Sequence, residues 1–386
     1  MPEQTKADAT SPVEAVDTGK PERLEQGIAL CLSGGGYRAM LFHVGAVWRL
    51  NELGYLPRLD RISSVSGGSI AAAVLGMNWS ALQTGADGVA GNLDEQYVQP
   101  LRELASRTID EGSIVEGFLT PGSIADKVAD AYRKHLFGNG TLQALPDRPR
   151  FVINATNVQT GALWRFSKPY MADYRVGTIP NPTEELAVAV AASSAFPPIL
   201  SPMRFEVDPD RYDPATKGDL HQPPFTTDIV LADGGVYDNL GLETAWKRYE
   251  TVLVSDGGGQ MAPEAEPHRD WARHALRINS LIDNQVRSLR KRQVVAGFQA
   301  GDRTGTYWGI RGDVSDYGPA AGTLPCPHAA TLVLAKTKTR LKRMDAVLQE
   351  RLINWGYAIC DVAMRRWVEP GAVAPAGFPY PAAGVG

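Results

Sequence analysis

The sequence predicts an α/β fold in which helices cover a mainly parallel sheet. Three observations carry this expectation. Short apolar runs stop at glycines near 28–32, 228–235 and 251–258, as buried strands do. Stretches with apolar residues at helical spacing fill 37–53 and 67–77. The resulting order of strand, helix, strand, helix over residues 28–77 is the βαβ pattern, which makes neighbouring strands parallel.

Residues 1–26 are polar, and a disordered lead is expected there. Ile28 to Leu32 is an apolar run that leads into Ser33-Gly34-Gly35-Gly36, a strand and its turn. YRAMLFHVGAVWRLNEL (37–53) follows as a helix, with Gly54 as its stop. Residues 61–65 form a second strand and 67–77 a second helix. Residues 78–145 read as mainly helical, broken at Pro121–Gly122 and Gly138–Gly140. RFVINATNV (150–158) is a third strand, and an alanine-rich helix at 183–195 is cut by Phe196-Pro197-Pro198. Residues 203–227 are rich in Asp and Pro and read as a surface insertion. DIVLADGG (228–235) and TVLVSDGG (251–258) are buried strands, each ending in Asp-Gly-Gly. From 270 the chain turns helical. YWGI (307–310) fits an edge strand, and 331–366 a long helical region broken near Asn354–Gly356. The Pro/Ala/Gly-rich tail from 367 is expected to be loose.

Bulk properties narrow the function. A chain of 386 residues, 44% hydrophobic and 21% charged, is enough for one large domain or two ordinary ones. A net charge of −4 argues against a dedicated nucleic-acid binder. Cys31, Cys326 and Cys360 are odd in number and far apart, so buried free thiols are expected rather than a disulfide framework or a zinc site. The N-terminus has no apolar core of a secretory signal, and no apolar run is long enough to span a bilayer. A cytoplasmic protein is the expectation, with peripheral contact at a membrane left open.

Chemistry concentrates at strand ends. SVSGG (64–68) lies where a strand hands over sharply to a helix, the setting of a nucleophile elbow. The sharp turn needs small residues two before and two after the nucleophile, and Ser64 and Gly68 meet that need around Ser66. The helix N-terminus favours negative charge on the serine oxygen. Ser69 would sit one turn into the helix, where its hydroxyl bonds back to the backbone. Ser63 should point to the opposite face of the strand from Ser64. Ser66 is the best-placed nucleophile, and a plain capped strand–helix turn is the competing explanation.

SGGGYR (33–38) is a glycine run between a strand and a helix. It exposes backbone N–H groups, as an oxyanion hole or phosphate cradle requires, although a plain tight turn explains it too. It has neither the ending of a P-loop nor the spacing of a dinucleotide fingerprint. Arg38 sits in the first helical turn, where the dipole disfavours a cation, so it either holds the loop, meets substrate phosphate or is an ordinary surface arginine. None of the six histidines follows a buried strand as a triad base usually does. Asp233 and Asp256 both lie at strand ends, on the crevice side of an open α/β sheet. Either could be a base, or a carboxylate capping its glycine turn.

Taken together, GGGYR at 34–38, SVSGG at 64–68, DGG at 233–235 and AVAASSAFPPILSP at 189–202 closely resemble the patatin-like phospholipase family in order and spacing. The resemblance spans about residues 27–260. It implies a three-layer α/β/α fold with a mainly parallel central sheet and one acyl-hydrolase domain over 27–366, its later part (261–366) helical. It implies a Ser–Asp dyad of Ser66 and Asp233, with Gly34, Gly35 and Gly36 as the oxyanion loop, Arg38 beside it, and Asp256 structural. Ser64 stands where the family has glycine. The implied activity is hydrolysis of fatty-acyl esters of phospholipids or lysophospholipids through an acyl-enzyme, with no cofactor and no metal. The alternatives are a general carboxylesterase or thioesterase acting on soluble substrates, and a catalytically silent lipid-binding protein. QVRSLRKRQVV (285–295) sets Arg287, Arg290, Lys291 and Arg292 among apolar residues, so it is either a bilayer-facing segment or a solvated helix face.

Overall fold

The computed structural model describes residues 24–109, 124–198, 200–318 and 321–386. A ten-stranded sheet runs through it in the order β10-β9-β1-β2-β3-β4-β5-β6, with β8 pairing β3 and β7. The strands are β1 (Glu25–Leu32), β2 (Leu59–Ser64), β3 (Arg150–Asn157), β4 (Ala162–Phe166), β5 (Tyr170–Asp173), β6 (Gly177–Pro180), β7 (Met203–Glu206), β8 (Asp228–Asp233), β9 (Tyr249–Asp256) and β10 (Thr304–Gly309). From β10 to β3 the strands are parallel. Beyond β3 the pairing is antiparallel.

Alternation along β1 divides the layers. Leu30 and Leu32 enter the large core, and Ala29 and Cys31 enter a smaller one on the opposite face. The large core is covered by α1 (Gly36–Glu52), α2 (Gly67–Met77), α3 (Gln99–Ala105), α4 (Ile124–Tyr132), α5 (Leu186–Ser193), α9 (His328–Ala335) and α10 (Ala346–Trp367). The smaller core lies under residues 240–246, which include the short α7 (Glu243–Trp246) and follow the short α6 (Gly235–Asp238), and under the C-terminal part of the long α8 (Trp271–Gln299). Helices therefore flank the sheet on both faces, in three layers.

α1 is buried over most of its length because it lies between the sheet and α10, as its apolar composition demands. The two helices touch at glycines. A Cβ on Gly45 would stand 1.9 Å from the Ile353 carbonyl oxygen, and one on Gly356 would stand 1.8 Å from that of Phe42. Gly356 is thus a contact point inside an unbroken helix. The expected break near 354–356 falls instead between α9 and α10, at 336–345.

Of the other expectations, some are corrected and some are met. The tail from 367 is tied down: Asn354 Nδ2 donates to the carbonyls of Tyr380 and Gly384, Arg49 bonds the Val373 carbonyl, and Val385 is buried. The 203–227 insertion opens with β7, which pairs β8, before becoming capped turns. The 78–145 region contains α3 and α4 but also a loop at 82–92, and its expected break at 121–122 lies outside the described residues. Most of the expected disordered lead, 1–23, also lies outside them, while Glu25 and Gln26 already belong to β1. The edge strand at 307–310 is the end of β10, at the border of the sheet. All three cysteines are buried and free.

Candidate active site

Two strands bring the site together by meeting head-on. β2 pairs one edge of β3 up to Ser64 against Ile153. β4 occupies the other edge from Ile153 to Asn157. β8 therefore takes the first edge beyond β2, with Asp233 against Ala155, and it runs in the opposite direction. The chain ends of β2 and β8 face each other, and Ser66 lies beside Asp233. Sequence reasoning placed Asp233 at a carboxyl strand end. The antiparallel approach that aims this end at Ser66 is a long-range pairing the sequence pattern does not contain.

Ser66 opens α2 with φ 52° and ψ −119°, a strained backbone for a residue with a side chain. The strain belongs to the elbow. A Cβ on Gly67 would stand 2.2 Å from the Gly36 carbonyl oxygen, and one on Gly68 would stand 2.4 Å from that of Leu32. Both glycines are required because the 33–36 loop presses on the turn. The backbone N–H of Ser66 donates to Ser193 Oγ at 3.0 Å, and Ser193 Oγ donates to the Asn154 carbonyl at 2.6 Å. Ser69 Oγ lies 2.9 Å from Ser193 Oγ and donates to Ser64 Oγ at 3.0 Å, while Ser64 Oγ reaches the Val152 carbonyl at 3.3 Å. This accounts for serine where the family pattern has glycine: the Ser64 hydroxyl is satisfied within a buried chain of hydroxyls beneath the elbow. Ser69 is a member of that chain.

Ser193, at the end of α5, was not singled out from sequence. Its carbonyl accepts the Gly234 N–H at 3.3 Å, and the carbonyl of Ala195 accepts the Asp233 N–H at 2.9 Å. One turn of chain, 193–195, therefore holds both the elbow and the strand end that carries Asp233. No local pattern announces this, because the partners lie far apart in sequence.

Asp233 is 3% exposed. Its Oδ1 accepts the Gly235 N–H at 2.7 Å, and its backbone carbonyl accepts the Thr156 hydroxyl at 2.8 Å. Burial pushes its carboxyl from an ordinary 3.8 up to about 7. The Gly235 N–H and the neighbouring Ser66 hydroxyl pull it down by less, and the negative field of Asp283 on α8 adds to the rise. A carboxylate in this state accepts a proton near neutral pH.

The glycine loop lies against Ser66: a Cβ on Gly34 would come within 3.2 Å of Ser66 Cβ. Gly35 and Gly36 have φ of 143° and 59°, conformations that favour glycine. The Gly34 N–H is committed to the Asn239 carbonyl at 3.0 Å. Those of Gly35, Gly36 and Gly67 have no partner among the described residues. The Asn239 side chain fills the space between the loop and the Asp-Gly-Gly turn, where its Oδ1 would meet a Cβ on Gly34 at 2.3 Å and one on Gly235 at 2.6 Å.

Arg38 is a tether. It is 2% exposed, its Nε donates to the Gly257 carbonyl at 3.1 Å, and its Nη1 bonds the Thr337 carbonyl. Burial, with Arg287 and Arg311 nearby, lowers its pKa to about 10. His43 braces the same loop from behind. Its Nε2 donates to the Ser33 carbonyl at 2.9 Å, its Nδ1 accepts from Ser255 Oγ at 2.8 Å, and burial lowers its pKa to about 4, so it stays neutral.

Asp256 ties β9 to its neighbours. Burial alone would raise its pKa, but Arg287, the Tyr307 hydroxyl and the Gly258 N–H outweigh that and hold it below the ordinary value. The four cations of 285–295 do not form one outward patch. Arg287 bonds the Gly259 carbonyl and lies 3.6 Å from Asp256, Arg290 pairs with Glu243 at 2.9 Å, and Lys291 sits over the Tyr307 ring. Arg292 alone of the four has neither an acid nor a ring as partner among the described residues. Among those residues, no helix is long and apolar enough to cross a membrane.

A family model described as patatin-like phospholipase matches residues 30–246. No curated protein matches the sequence. Among solved structures, human GIVD cytosolic phospholipase A2 superposes with a TM-score of 0.50 at 14% identity, covering 86% of this chain and 60% of that one. The same human enzyme in complex with methyl gamma-linolenyl fluorophosphonate gives 0.52 at 15% identity, with coverages of 87% and 57%. This chain spans about three fifths of the length of those structures. At such identity the likeness is one of fold.

Proposed function

Because this chain belongs to the patatin-like phospholipase family, we propose that it hydrolyses fatty-acyl esters of phospholipids or lysophospholipids through Ser66 and Asp233. The observation that carries this reading is the head-on meeting of β2 and β8, which sets a strained serine beside a buried carboxylate with a pKa of about 7. Asp233 takes the Ser66 proton as the oxygen attacks the ester carbonyl. The free N–H groups of Gly35 and Gly36, with that of Gly67, receive the oxyanion. Such a donor typically contributes about 2.7–4 kcal/mol to the transition state. The C–O bond to the alcohol breaks, and the proton on Asp233 passes to the leaving oxygen. Water activated by Asp233 then cleaves the acyl-Ser66 ester and releases the fatty acid. Gly34 and Arg38 act by holding the loop, since the Gly34 N–H and the Arg38 Nε and Nη1 bond backbone carbonyls, although the buried Arg38 Nη2 has no hydrogen-bond partner among the described residues. Arg292 is the one cation of the 285–295 group left for peripheral contact with an anionic bilayer.

The test is mass spectrometry of a phospholipid mixture incubated with the protein, run beside a soluble short-chain ester. The expected result is free fatty acid with the matching lysophospholipid or deacylated headgroup. Turnover of the soluble ester alone would point to a general carboxylesterase. Turnover of neither would point to a lipid-binding protein.

Ser193 gives a second expectation. Ser193→Ala leaves the Ser66 N–H buried without its acceptor, at a cost of about 1–3 kcal/mol at the elbow. The variant is expected to lose roughly tenfold in kcat with little change in KM, because the substrate-facing surface is untouched. Steady-state kinetics on a soluble ester measure this, and an unchanged kcat would show that the elbow holds itself.

A further inference from the structure

The inner face of α8 is packed in its C-terminal half, while Leu276, on the same side nearer the N-terminus, is exposed. Arg287 and Arg290 reach Asp256 and Glu243, Val294 is buried in the smaller core, and Gly297 lies against the Trp246 ring. Its outer face carries Trp271, Ile278, Ile282 and Leu289, all exposed, with Trp271 at 85% and Leu289 at 58%. Their spacing of seven, four and seven residues places them on one stripe of the helix. At 1.5 Å per residue the stripe is about 27 Å long. Leu281 lies exposed at its margin.

The stripe has a chemical context. The one acid of α8, Asp283, belongs to the site side, where its field reaches Asp233. Arg269, just before the helix, and Arg292 have no acid partner among the described residues. The helix packs on α6, which begins two residues after Asp233. Val236 on α6 and Phe196, next to Ala195, are also exposed apolar residues beside the site. One helix thus carries an apolar stripe, a highly exposed tryptophan and an unpaired cation, and its Asp283 reaches Asp233 with its field.

We propose that the outer face of α8 docks on the surface of an anionic phospholipid bilayer, with Trp271, Ile278, Ile282 and Leu289 at the acyl boundary and Arg269 and Arg292 at the headgroups. A helix with this division of residues lies in the plane of an interface, and tryptophan suits the level between headgroups and chains. A second copy of the chain fits less well, since α8 carries six lysines and arginines against the single acid Asp283, so pairing two such helices brings like charge together. The proposal rests on the lipid-hydrolase reading but concerns binding, so it can fail on its own.

The experiment is co-sedimentation of the Ser66→Ala protein with vesicles of phosphatidylcholine containing phosphatidylserine, and with vesicles of phosphatidylcholine alone. Binding to the anionic vesicles is expected. It should fall at least about tenfold when Trp271, Ile282 and Leu289 are changed together to serine, and also in Arg269→Glu/Arg292→Glu. The same triple change in the Ser66 protein should leave hydrolysis of a soluble short-chain ester unchanged, which shows that the fold and the catalytic site are intact. No vesicle binding by the parent, or equal binding by the triple variant, overturns the proposal. So does light scattering that shows a parent dimer made monomeric by the triple change. The hydrolase reading is judged separately, by turnover of the soluble and lipid esters.

Discussion

Ser66→Ala and Asp233→Asn are each expected to lower kcat by roughly 10³–10⁴-fold or more, with the fold intact. The two losses have different causes. Alanine removes the oxygen that forms the acyl-enzyme, while the hydroxyl chain of Ser64, Ser69 and Ser193 beneath the elbow stays complete. Asparagine keeps an oxygen for the Gly235 N–H, bonded at 2.7 Å in the wild type, but it cannot take the Ser66 proton. Because the two residues act as a unit, the double variant should be scarcely slower than either single one. Rates on one soluble ester, with circular dichroism as the check on folding, measure all three. Either single variant retaining wild-type turnover would contradict the dyad.

The second large effect is on pH. Asp233 must be ionised to act, so kcat/KM should rise with pH along a limb whose midpoint is near 7, rather than near the 3.8 of an ordinary aspartate. Replacing Asp283 by asparagine removes a neighbouring negative charge and should move the limb to lower pH. Stability moves the opposite way. The folded protein holds the Asp233 proton more tightly than the unfolded chain, so this residue favours folding least above pH 7. Its contribution declines as pH rises from about 4 and levels off above the folded pKa. The interval from 3.8 to about 7 corresponds to at most about 4 kcal/mol. Asp233→Asn should therefore melt higher than the wild type at pH 8, with the gap closing toward pH 4. Thermal melts across that range decide the point. A gap that widened at low pH would mean the carboxylate is stabilised in the fold.

The parts of this account that could be read from sequence are those fixed locally. The elbow is one: β2 stops at Ser64 and α2 starts at Gly67, so the turn at Ser66 follows from a short apolar strand, small residues and an alanine-rich helix. The glycine loop is another. What could not be read depends on partners far away. Asp233 was legible as a strand end, but its approach to Ser66 depends on β8 pairing the vacant length of β3. Ser193 bonds a backbone N–H 127 residues away. Gly356 looked like a helix break because glycine disfavours helices, whereas it is glycine to admit the Phe42 carbonyl. The cations at 287 and 290 looked free because sequence shows charges but not the Asp256 and Glu243 carboxylates that meet them.

The claim on which the rest depends is that Ser66, among the four serines at 63–69, is the residue acylated. Treating the protein with a fluorophosphonate and mapping the adduct by peptide mass spectrometry tests this directly. The account predicts one adduct, on Ser66, formed with loss of activity and absent from Ser66→Ala. An adduct on Ser69 or Ser193, or an inactivated protein with Ser66 unmodified, would contradict it.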